Sequence, residues 1–235
     1  MISIIQNELI KFKTSKKLYV TLIIAAIISI TRIKFLDKLE GVNIDGTMAL
    51  ESFMWGITVV ILYWIIVLIG EEITDEFKNG TMKLSLVNPI TRTQYFIAKI
   101  IYMTLITLAL IILYFSFSMI YSLVVYGQIG INDIVNLFGR NILIVVPVIS
   151  FGVVISIVAM FVNSGSNLVV SGIGILMFFQ LGLDNIKYLK DFNLIRTINE
   201  ISQGQLICKN LGIDLIYFVI AFVIANILLK QKEIR

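Results

Sequence analysis

The 235-residue chain has no histidine, one cysteine and two prolines, and only 14% of its residues are charged. Without histidine there is no Ser-His or Cys-His nucleophilic system and no His-ligated metal site. The lone Cys208 supports neither an intrachain disulfide nor a thiolate metal cluster. The charged share is about half that of a soluble domain. With 58% hydrophobic residues and a mean hydropathy of +0.96, this excludes disorder, a collagen-like fibre, a disulfide scaffold and almost any soluble enzyme. A chain of this size has too little interior to hide so much apolar surface, so lipid must cover it. The net charge of +4 is small and scattered. It suits basic ends at a membrane and gives no footing for nucleic acid.

What is present are long apolar runs. A helix needs about 20 mostly apolar residues to cross a bilayer core. Six segments qualify, at 18–36, 53–70, 95–126, 141–162, 167–183 and 213–230. The fold class expected is all-α: a single transmembrane domain over 1–235, six spanning helices, and an interfacial helix at 1–17. In that helix Ile2, Ile5, Leu9 and Phe12 share one face, while Asn7, Glu8 and Lys11 lie away from it. The N-terminus reads as this helix and not as a cleaved signal. Lys11, Lys13, Lys16 and Lys17 before the first span place that end in the cytoplasm, and an even span count returns the C-terminus there. Segment 184–212 is then an extracellular, semi-apolar loop, either re-entrant as short helices or a surface loop.

The spans carry little chemistry. Ionisable residues are missing from their centres, and Lys99 and Asp214 fall near ends, which argues against an ion-coupled carrier. Ser116, Ser150, Gln180, Asn226 and the scattered glycines read as ordinary helix packing. Glu71-Glu72 weakly resembles the motif of a glutamate-dependent membrane protease, but Glu76 stands at the arginine position and histidine is absent. No P-loop is present, so ATP would have to sit on a partner.

The informative segment is 71–92, between spans two and three. It opens as an acidic helix with Asp75 and Glu76 near its middle and Gly80 as a C-cap, and Pro89 breaks the chain before Thr91-Arg92. A solvated hairpin would account for the charges. It leaves unexplained the ordered run Glu76, Gly80-Thr81, Leu84, Leu86, Pro89, Arg92 and Lys99. That run resembles the membrane subunits of type-2, or type V, ABC exporters, the ABC-2 permease family. Ser85 departs from it, standing where a second leucine is common.

The resemblance implies a permease subunit that is not itself an enzyme, with no cofactor of its own. ATP and Mg would be bound by two copies of an ATP-binding partner, and a second permease copy, identical or paralogous, would complete the path. Segment 71–92 would be the coupling element, with Glu72, Asp75, Glu76, Phe77, Lys78, Gly80, Thr81 and Leu84 at the partner and the N-terminal helix bracing it. The apolar spans favour a hydrophobic or amphipathic substrate over a polysaccharide. The Ile/Lys/Asn-rich usage points to the plasma membrane of a low-GC bacterium. Small permeases of this kind resemble peptide-export and bacteriocin-immunity systems, so an antimicrobial peptide is the leading substrate expectation. Lipid or drug export, or a non-transporting sensor or assembly subunit, are the alternatives.

Overall fold

The structure is a computed structural model. It describes residues 5, 6, 8–10, 12, 16–39, 44–79, 91–182, 193–204 and 208–231. Among these residues there are helices and no strand. We number the helices α1 (Lys17–Asp37), α2 (Gly46–Ile69), α3 (Arg92–Tyr126), α4 (Ile131–Leu143), α5 (Val145–Ala159), α6 (Gly165–Met177), α7 (Leu194–Ser202) and α8 (Cys208–Gln231). A π-helical stretch, Gly70–Asp75, carries α2 without a break into a last turn, Glu76–Lys78. Residues 5, 6, 8–10 and 12 form helical turns ahead of α1.

Local chemistry sets several boundaries apart from those hydropathy suggests. α2 begins at Gly46 and not near 53, because Asp45 accepts from Met48 N at 2.7 Å and caps the helix there. α3 begins with a capping box. Gln94 N donates to Thr91 Oγ1 at 3.2 Å, and Thr91 N donates to Gln94 Oε1 at 3.0 Å. The fourth span also starts early, since the amphipathic α4 runs straight into α5. α6 is short, and only with its π-helical extension Phe178–Gly182 does it approach a bilayer's thickness. Among the described residues five helices are thus long and apolar enough to cross a membrane by themselves, α4 and α5 counting as one, and α6 is a shorter apolar one.

α2 is the central helix. Of its most apolar stretch 78% is buried, against 22% for α1 and for α8, whose exposed faces are lined with Ile, Val and Leu. α1 packs on α2, which also meets α3, α5 and α6, and α8 packs on α5. The α1–α2 crossing is made by small residues. A Cβ on Gly56 would stand 2.1 Å from Ser29 Oγ and 3.0 Å from Ala25 O. Ser29 Oγ in turn lies 2.8 Å from the Tyr114 hydroxyl of α3, which ties three helices at mid-height.

Contacts between helix ends sort the molecule into two levels. Lys17 at the start of α1 pairs with Glu71 at the end of α2. Arg92 Nη1 at the start of α3 donates to Leu229 O and Lys230 O at the end of α8, at 2.8 and 3.0 Å. Gly165 at the start of α6 donates its N–H to Asp75 Oδ1 at 2.9 Å. At the opposite level Gly46 abuts the turn between α3 and α4. α7 packs on α4 and α5 there, and Asn193 Nδ2 donates to Phe179 O at the end of α6 at 2.7 Å. The short α6 therefore runs from one level to the other, and the start of α1 and the end of α8 share one level.

The segment expected as a loop over 184–212 contains α7, described from Asn193 onward. Leu194, Ile195, Ile198 and Ile201 are buried on one face of it. This part of the segment is helical and packs on α4 and α5. Its semi-apolar pattern was an amphipathic helix looking for a surface.

Candidate functional site

The segment after α2 carries four carboxylates within six residues. The π-helical register aims them in three directions. Glu71 turns to Lys17. Asp75 turns to the α5–α6 turn, where it accepts from the Gly165 amide. Any Cβ on Gly165 would stand 2.7 Å from Asp75 Oδ2, so only glycine lets the backbone come this close. Glu72 and Glu76, one turn apart, face α3.

There they meet Lys99, whose side chain is wholly buried. Its ammonium donates to Glu76 Oε1 at 2.9 Å, to Glu8 Oε1 at 3.0 Å and to Glu72 Oε2. Tyr95, one turn before Lys99 on α3, donates its hydroxyl to Glu76 Oε2, and its ring lies 5.5 Å from the ammonium. Three elements are thus joined at one cation: the N-terminal segment through Glu8, the end of α2 through Glu72 and Glu76, and the start of α3 through Lys99. The three carboxylates lie close enough together to share a metal ion, but the place of the ion is taken by the ammonium. Breaking such a buried pair leaves an uncompensated charge, which makes it costly.

The fates of the expected site residues divide. Glu72 and Glu76 are mostly buried and committed to Lys99, and Asp75 to Gly165. Phe77 is half-buried and packs against the core. Lys78 is exposed. Arg92 caps the carbonyls at the end of α8. Gly80, Thr81, Leu84, Leu86 and Pro89 lie outside the described residues.

One residue departs from the sequence reading. Glu8 was placed on the solvent side of the N-terminal helix, but it is buried against Lys99. Its apolar neighbours Leu9 and Phe12 do pack inward, Phe12 edge-on to Trp64 at 5.9 Å. Lys99 does lie near the start of its span, two turns inside α3, and its side chain is sealed there. No sequence signal brings Lys99 to Glu72 and Glu76, because they stand on different elements.

A second buried polar group lies by α7. Glu200 accepts from Arg196 Nε at 2.7 Å and from Asn210 Nδ2 at 2.5 Å, and Asp214 is buried beside Thr197. It ties α7 to α8.

No curated protein resembles the chain closely enough in sequence to count as a relative. A family model described as ABC-2 family transporter protein does match, over residues 4–182. The match takes in Glu8, the whole end of α2, Lys99 and α6. With about three-quarters of its length matched, the chain belongs to the ABC-2 family of transporter proteins.

Proposed function

We propose that this chain is the permease subunit of an ATP-driven exporter, and that the end of α2 receives the stroke of a separate ATP-binding subunit. Its family makes it a multi-pass membrane component of an ABC transporter that is not itself catalytic. The observation that carries the mechanical reading is the Lys99 cluster. A push on the turn Glu76–Lys78 is passed by Glu72 and Glu76 to α3 through Lys99, and by the same cation to the N-terminal segment through Glu8. Asp75 passes it to the α5–α6 turn. A π-helical stretch at the head of this lever is a common mark of a working helix.

In this reading Lys78, Phe77 and the Gly80, Thr81 and Leu84 that follow form the contact surface, while Glu72, Asp75 and Glu76 transmit. ATP and Mg are bound by two copies of the partner. Two permease copies, identical or paralogous, enclose the path. The level holding Lys17, Lys78 and Lys230 is cytoplasmic, in a bacterial plasma membrane. The apolar lining of the spans supports a hydrophobic or amphipathic cargo, with an antimicrobial peptide as the leading candidate and a lipid or drug behind it.

The test is co-purification of the tagged chain with the ATP-binding subunit encoded beside it, followed by ATPase assays with candidate peptides. A stable complex whose ATPase responds to a peptide, and loses that response in Lys78→Glu, supports the proposal. Failure to capture any ATP-binding subunit favours a non-transporting sensor or assembly protein. Glu76→Arg is a poor docking test, because it would also break the Lys99 cluster.

A further inference from the structure

α1 and α2 touch at Gly56 and Ser29, and the groove between them lies on the Lys17–Glu71 side of that contact. It is a lateral groove of about 460 Å³. Val20, Ile24 and Ile28 of α1 form one wall, and Val60, Tyr63 and Val67 of α2 the other. We infer that this groove is a binding site for one acyl chain of an anionic phospholipid, with its phosphate at Lys16.

Four observations lead there. The groove offers a polar ligand almost nothing along its walls. Thr21 is buried in it, but its hydroxyl is spent on Lys17 O at 2.8 Å. The length fits one leaflet: Lys16 to Ile28 spans about 18 Å of helix at 1.5 Å per residue, close to half of a hydrocarbon core of about 30 Å. The mouth is basic. Lys17 is held by Glu71, and Lys16 beside it is exposed and borders the groove. Finally, Trp64 lines the groove with 8% of its surface exposed, and its indole N–H has no acceptor among the described residues. That indole N–H is itself sealed from the groove, so the ring meets the groove through carbon, in the setting where tryptophan is favoured at membrane interfaces. An apolar drug would leave Lys16 unanswered. This site rests only on the membrane reading and not on the transport proposal.

The experiment uses the full chain in Trp55→Phe form, so that Trp64 is the one fluorophore of its kind. It is reconstituted into phosphatidylcholine vesicles containing increasing fractions of phosphatidylglycerol with brominated acyl chains, which quench tryptophan on contact. Brominated phosphatidylcholine is the reference. Quenching is expected to saturate at a lower fraction of the anionic lipid than of the zwitterionic one. Lys16→Gln should weaken that preference about fivefold, the usual worth of one basic side chain at an anionic surface. Ile24→Phe, which narrows the groove, should reduce quenching by both lipids. Equal curves for the two lipids overturn the site, as does a preference that Lys16→Gln leaves unchanged or quenching that Ile24→Phe does not alter. Lys16 is exposed, so its variant decides the matter even if Ile24→Phe does not fold.

Discussion

Lys99 is the residue on which the proposed lever turns, and its surroundings dictate how variants behave. Lys99→Met would leave Glu8, Glu72 and Glu76 buried together without their cation. A loss of about 3–5 kcal/mol is expected, the usual range for removing one partner of a buried pair. It would be read as lower yield and earlier thermal unfolding of the detergent-solubilised protein. Glu76→Gln should be milder, because Lys99 keeps two carboxylates and Tyr95 keeps an acceptor. If Lys99→Met melts like the wild type, the cluster is not a structural joint. Lys78 tests the opposite case. It is exposed, so Lys78→Glu should change stability by no more than about 0.5 kcal/mol while weakening the response of the partner's ATPase. Equal ATPase coupling in the two proteins would remove Lys78 from the docking surface.

At the scale of elements, the α1–α2 crossing depends on small side chains. Gly56→Leu would drive its side chain into Ser29 and the α1 backbone. Overpacking of this kind costs about 1–3 kcal/mol, and the Ser29–Tyr114 bond should be lost with it, which a thermal melt would register. The capping box of α3 is a smaller lever. Thr91→Ala should cost about 1 kcal/mol. Because Arg92 and Lys99 follow in the next turns, it should loosen the α8 contact and the cluster together, seen as faster amide exchange at the start of α3. At this scale the sequence was legible where the chemistry is local. The apolar runs and the amphipathic character of the N-terminal segment follow from near neighbours. The early starts of α2 and of the fourth span were not legible from hydropathy alone. A cap such as Asp45 and an amphipathic lead-in such as α4 lengthen a helix without adding to its apolar run.

At the scale of the whole molecule, the helix-end contacts fix which termini lie together. In a Cys208→Ser background, cysteines at Lys78 and Lys230 should react with an impermeant reagent from the same face of sealed vesicles, and a cysteine at Gln128 from the other. Labelling of Lys78 and Lys230 from opposite faces would mean that α6 does not cross. The sequence by itself determined that the chain lives in a membrane, that it is helical, and that its distinctive chemistry lies between the second and third spans. Composition and local order suffice for those, because lipid solvation and helix formation act on neighbouring residues. Only the tertiary structure decided that Glu8, Glu72 and Glu76 converge on Lys99, that Asp75 holds the α5–α6 turn, and that α1 and α2 open a groove beside Lys16. Those pairings join residues up to 91 positions apart. Their energy comes from charges and donors that burial has stripped of water, a condition no stretch of sequence reveals until the helices are packed.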